Sequence, residues 1–166
     1  MIQDFRSLLP FASPLGVSYE LRLLSHLAST RLRSAPLNGS LPAEDWTDAL
    51  QCVQSLLSLL ESNANIRTDF YNVYEAVRNP NQLQIDLKEL SENSFVRLEN
   101  DLPHYVSLLA DDYVRAQRSS DTHSTEYIGR LRDEVKLVTL ARRVEDYYES
   151  HGQYVPSVAL IQVRFL

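Results

Sequence analysis

An all-α fold is the class this sequence predicts: an irregular bundle of five to seven helices, a long C-terminal helix and a short extended C-terminal tail. Three observations carry that expectation. Apolar residues recur at three- and four-residue intervals between breaks rich in Pro, Gly, Ser and Asn. The stretch from Ser124 to His151 accommodates one helix of roughly 28 residues, about 42 Å at 1.5 Å per residue. With 166 residues, 44% hydrophobic and 23% charged, the chain has ordinary globular composition and is long enough to bury a core.

In chain order, residues 4–9 predict one helical turn that Pro10 stops. Ser13-Pro14 and Ser18 offer successive starts for the next helix, and Gly16 favours the later one. From Tyr19, the pattern Leu21, Leu24, Ala28, Leu32, with Leu23 and Leu27, carries a helix to near Arg33. Residues 34–42 are loop by composition, a connector or a hinge. Trp46, Leu50, Val53, Leu57 and Leu60 then give the clearest helical stripe, widened by Ala49, Cys52, Leu56 and Leu59. Glu44 and Asp45 suit the positive end of its dipole. Cys52, on that broad face, reads as a small core residue.

After the break at residues 62–65, Ile66, Phe70, Val73 and Val77 predict another helix, and Leu83, Leu87 and Leu90 a short one. Phe95, Leu98 and Leu102 continue the three- and four-residue spacing. Asp101 and Pro103 mark a fresh start, with Tyr105, Leu109 and Tyr113 carrying that helix to about Arg118.

The long helix has N-cap oxygens at Thr122 and Ser124 and a C′ glycine at Gly152, and Pro156 bars continuation. It carries two apolar stripes. Ile128, Leu131, Val135 and Val138 line one side of its first half. Leu137, Leu140, Ala141, Val144, Tyr147 and Tyr148 line a side of its second half, about 160° away at 100° per residue. Opposed stripes need two packing neighbours: the chain itself on both sides, or the chain on one and a partner or second copy on the other. Between them, Arg132, Lys136 and Arg143 form a basic line. It is either a solvated face, given Asp133, Glu134, Glu145 and Asp146 nearby, or a receiving surface for an acidic partner.

The tail, with its β-branched residues, reads as extended over 158–165. It divides the chain into a helical domain, 1–156, and a segment, 157–166, that is a docking tail or the start of a missing domain. A lone strand must dock: on a partner's sheet edge, in such a further domain, or flat on the bundle. The run also resembles the extended segment leading into the small β domain of some subunits of the GINS replication complex.

The net charge of −6 argues against a general nucleic-acid binder. It is unevenly spread: residues 1–40 carry four arginines against Asp4 and Glu20, whereas 41–63 carry four acids and no base. Cys52 is the one cysteine, so no intrachain disulfide forms, which suits a reducing compartment. No signal-peptide pattern and no bilayer-length apolar run is present. The expected location is intracellular, cytoplasmic or nuclear, with no membrane partner.

Residues able to do chemistry are sparse. Arg118 and His123 enclose Ser119-Ser120-Asp121-Thr122, and this R-x4-H spacing resembles the motif of HEPN-type ribonucleases, small helical proteins. That resemblance implies His123 as general acid/base and Arg118 as phosphate ligand. His104, Asp111 and Asp112 lie at helical spacing but lack a convincing further metal ligand, and His26 sits at the edge of an apolar face. No phosphate-binding glycine loop, nucleophile elbow or Cys/His cluster is seen, so no cofactor and no metal are expected.

The function these residues favour is a protein–protein interaction module: a helical subunit, adaptor or regulatory domain whose partner is another protein or a second copy. Its expected partner-binding residues are Leu137, Leu140, Val144, Tyr147, Tyr148, Val158, Leu160, Val163 and Phe165. The alternative is a HEPN-like ribonuclease using Arg118 and His123.

Overall fold

A computed structural model describes residues 7–37, 39–70, 95–121 and 123–165. Among these lie six α-helices and two short strands: α1 Leu9–Ala12, α2 Val17–Arg33, α3 Ala43–Ser62, β1 Arg67–Phe70, β2 Phe95–Leu98, α4 Leu102–Ser119, α5 Thr125–Ser150 and α6 Pro156–Arg164. The bundle follows the expected class. Expectations for residues 71–94 lie outside the described residues.

The helices form antiparallel hairpins. Near the end of α2, Arg31 pairs with Asp45 and with Asp48 (3.1 Å) in the first turns of α3. In the second hairpin, Tyr113 of α4 donates its hydroxyl to Glu134 of α5 at 2.9 Å. Trp46 of α3 joins the two hairpins: it is fully buried, donates its indole N–H to the Leu109 carbonyl at 3.1 Å, and lies 6.1 Å from the Tyr113 ring. Around it a single apolar cluster takes in Leu21, Leu57, Tyr105, Leu140 and Val158, so α2 to α6 share one core.

Local signals placed most ends well. Asp101 caps α4, its carboxylate accepting the His104 N–H at 2.8 Å, and Pro103 stands in the first turn. Gly16, at φ 121°, sets α2 off from the 3-10 turn Ser13–Leu15. Three expectations are corrected. Pro10 sits in the first turn of α1, where its missing N–H costs nothing, so it opens that helix instead of stopping one.

Residues 67–70 and 95–98 are parallel strands, with Arg67 beside Phe95 and Phe70 beside Leu98. Both segments are four residues long, too short for periodicity to separate strand from helix. In β2, buried Val96 and Leu98 alternate with half-buried Arg97, as side chains do along a strand.

The third correction is the tail, which is helix over Pro156–Arg164 and not extended. Its β-branched composition misled, whereas Val158, Ile161 and Phe165 keep helical spacing and Pro156 opens the first turn. The likeness to an extended GINS segment falls with it.

Candidate protein-docking site

The α5 rod is unbroken from Thr125 to Ser150. Ser124 caps it, its hydroxyl accepting the Tyr127 N–H at 3.1 Å and donating to the Asp121 carbonyl at 2.7 Å. At the other end Gly152 turns at φ 71°, and the N–H groups of Gly152 and Gln153 donate to the carbonyls of Glu149 and Tyr148, both at 2.9 Å.

The two stripes of this rod have different fates. Leu137, Leu140, Ala141 and Val144 are fully buried within the common core. Tyr147 and Tyr148 are half-buried, edge to face at 5.5 Å. Burial raises both phenol pKa values above the usual tyrosine range, helped by Glu61 at Tyr147 and by Asp101 at Tyr148, so both stay protonated at neutral pH. Of the first-half stripe, Ile128, Leu131 and Val135 stay outside, at 55%, 41% and 68% exposure, while Val138 is half-buried.

Helix α6 is pinned on its inner side. Val158 and Ile161 are buried, and Gln162 donates to Glu145 at 2.5 Å. Arg164 pairs with Asp111 at 3.5 Å, and the Phe165 ring meets Tyr113 edge-on at 5.5 Å. On its outer side Leu160 and Val163 are each 68% exposed.

The expected partner-binding set is therefore divided. Leu137, Leu140, Val144 and Val158 belong to the core, because α5 and α6 pack against α4 and α3 through them. Tyr147, Tyr148 and Phe165 are half-buried, and only Leu160 and Val163 of that set are exposed. Ile128, Leu131 and Val135, which lie outside that set and whose spacing marks them as a separate stripe, are exposed as well.

The other candidate residues serve local structure. Arg118 and His123 are both exposed, and the His123 N–H donates to Asp121 Oδ1 at 3.0 Å in the loop that caps α5. Asp112 is buried and accepts the Leu41 N–H, whereas Asp111 faces Arg164 and His104 is exposed in the first turn of α4. His26 Nδ1 lies 2.5 Å from Glu99 Oε1. Among the described residues, no group of three or more His, Cys, Asp or Glu is placed to hold a metal, and no helix is long and apolar enough to cross a membrane. A groove of about 570 Å³ between α2, α3 and α5 is polar, lined by Glu20, Gln51, Gln54, Ser55, Ser58 and Arg143 with Leu59.

Residues 17–165 match the family model described as "Eukaryotic translation initiation factor 3 subunit 8 N-terminus". Among curated proteins, the chain is 31% identical over 163 residues to the C subunit of eukaryotic translation initiation factor 3 from Yarrowia lipolytica, covering 98% of this chain and 19% of that protein. The same factor's C subunit from Scheffersomyces stipitis is 30% identical over 125 residues, covering 75% and 14%, and that from Saccharomyces cerevisiae 28% over 109 residues, covering 66% and 13%. The chain thus spans a fifth or less of the length of these relatives. The expectation against nucleic acid rested on the charge of this segment alone, so it is withdrawn for any longer protein built like them. A match running from Val17 to Phe165, through all the helices of the common core, makes this chain a member of the family of initiation factor 3 subunit N-terminal segments.

Proposed function

We propose that this chain is a helical, protein-binding segment of a translation initiation factor 3 assembly, working in the cytoplasm, where translation is initiated. It docks on a neighbouring protein through the outer face of α6. The observation that carries this reading is the pair Leu160 and Val163, each 68% exposed on a helix whose inner face is anchored by Val158, Ile161 and Phe165. Two large apolar side chains held outward by a pinned helix form a preorganised contact, which lowers the ordering cost of binding. Helical bundles serve many functions, so family membership and this surface carry the proposal together.

The test is affinity purification of the tagged protein from its own cells, with the other initiation factor 3 subunits quantified by mass spectrometry. The expected result is their recovery with wild type and at least a tenfold loss, roughly 1.4 kcal/mol, with Leu160→Asp/Val163→Asp. Wild-type protein recovered free of those subunits would overturn the reading.

A further inference from the structure

The outer face of α5, well removed from its buried stripe, combines grease and positive charge. At 100° per residue, Ile128, Leu131, Arg132, Val135, Lys136 and Arg142 fall within an arc of about 140°. All six are exposed. The two acids in this stretch point elsewhere. Asp133 is 7% exposed, and Glu134 accepts the buried Tyr113 hydroxyl.

Of the bases, Lys136 is partly neutralised by Asp133 at 2.8 Å. Arg143 falls between Arg132 and Lys136 around the helix, but it is half-buried and tied to Glu61 of α3 at 2.6 Å. Arg132 and Arg142 make no ion pair among the described residues and flank the apolar stripe on its side and at its end. Acid returns to this face only at Asp146, one turn beyond Arg142. In a chain of net charge −6, this is a local surface of opposite sign.

We propose that this face receives an acidic amphipathic helix from another protein, with apolar anchors against Ile128, Leu131 and Val135 and carboxylates against Arg132, Lys136 and Arg142. The three apolar residues stand at i, i+3 and i+7, about 10 Å from first to last, which matches the anchor spacing of a helix laid along α5. Charge complementarity selects the occupant. A nucleic-acid backbone would satisfy the bases but set phosphates over three exposed aliphatic side chains. A second copy related by a two-fold axis would bring the same basic face against itself, and like charges there repel.

The inference rests on the reading that this chain meets protein partners, and its test is separate. The probe is a fluorescein-labelled synthetic peptide of about 18 residues, long enough for measurable helix, with Leu at i, i+3, i+7 and i+10, Glu on the flanks and Ala elsewhere. Its binding to the whole chain is followed by anisotropy. The expected result is saturable binding that weakens with added salt and falls at least about tenfold with Val135→Asp and with Arg132→Glu/Arg142→Glu. A scrambled peptide of the same composition binds at least about tenfold more weakly. The substituted side chains are exposed, so an unchanged melting curve checks folding.

Absence of binding, or equal binding by the scrambled peptide or the variants, would overturn the proposal. Tighter binding of a uridine-rich single-stranded RNA, sensitive to the arginine changes but not to Val135→Asp, would overturn it in favour of nucleic acid. A dimer in light scattering that Val135→Asp dissociates would overturn it in favour of self-association. If the peptide fails while Leu160→Asp/Val163→Asp still loses the assembly, the α6 reading stands and this inference alone falls.

Discussion

Asp112 and Arg130 hold the backbone of one residue, Leu41, the first at its N–H and the second at its carbonyl. Both Asp112 carboxylate oxygens accept the Leu41 N–H, at 3.2 and 3.1 Å, while Arg130 donates from Nη2 to the Leu41 carbonyl at 2.8 Å. The two charged side chains are 1% and 2% exposed, so the loop between α2 and α3 is fastened to the α4–α5 hairpin through buried charge. The residues differ in how well they are satisfied. Asp112 also pairs with Arg115 at 3.0 Å, whereas Nε and Nη1 of Arg130 are buried with no hydrogen-bond partner among the described residues.

That asymmetry predicts unequal substitutions. Asp112→Ala leaves a buried N–H unpaired and Arg115 without its ion-pair partner, and is expected to cost about 2–4 kcal/mol. Arg130→Met removes a buried charge and two unsatisfied donors, leaving only a carbonyl without its bond, and should change stability by no more than about 1 kcal/mol. Urea unfolding of both singles and the double checks this, with the double costing less than the sum.

The first turns of α5 should respond to local changes independently of packing. A Cβ at Gly129 would meet nothing within 4 Å, so Gly129→Ala is expected to stabilise by about 0.5–1 kcal/mol. Ser124→Ala removes the cap bond to Tyr127 and should cost about 1 kcal/mol. Amide hydrogen exchange should show the change concentrated in the first turns of α5 and absent beyond Leu140.

Alkaline pH should unfold the protein through its buried phenols. Burial raises the pKa of Tyr105, and burial also raises that of Tyr148 with Asp101 adding to it, both from an ordinary value of 10.0. Below pH 10 both states keep these protons and the contribution is complete. Above it the unfolded chain releases protons that the native state retains, so stability falls with rising pH, by about 1.4 kcal/mol per pH unit per retained proton. Chemical denaturation between pH 8 and about 11 should show that fall, and Tyr148→Phe should shallow it.

The anchoring of α6 can be weakened without touching the centre of the core. Phe165→Ala removes the edge-on contact with Tyr113 and is expected to cost about 1–2 kcal/mol, with limited proteolysis showing cleavage concentrated near α6. Unfolding of the whole chain at the same denaturant concentration, without that local cleavage, would contradict this placement.

Most helices were legible because their signals are local. Asp101-Leu102-Pro103 and Ser124 announce starts through backbone amides that need acceptors, and Gly152 announces an end through a left-handed φ that glycine adopts without steric cost. The strands at Arg67–Phe70 and Phe95–Leu98 were not legible. A parallel pair gains its stability from a partner 28 positions away in the chain, and four residues hold too few side chains to reveal a period. The exposed apolar face of α5 was half legible: the sequence displayed two stripes on that helix without indicating which one the chain would cover.

Composition, spacing and caps determined by themselves that this would be a helical bundle with one long rod near its end, since each follows from contacts within a few residues. Tertiary structure alone decided that Leu137, Leu140 and Val144 turn inward while Ile128, Leu131 and Val135 remain outside, and that the tail coils onto the bundle with Leu160 and Val163 facing away. The physical reason is that burial belongs to pairs of surfaces: a stripe becomes core only where another helix arrives to cover it, and that arrival is set by the whole chain.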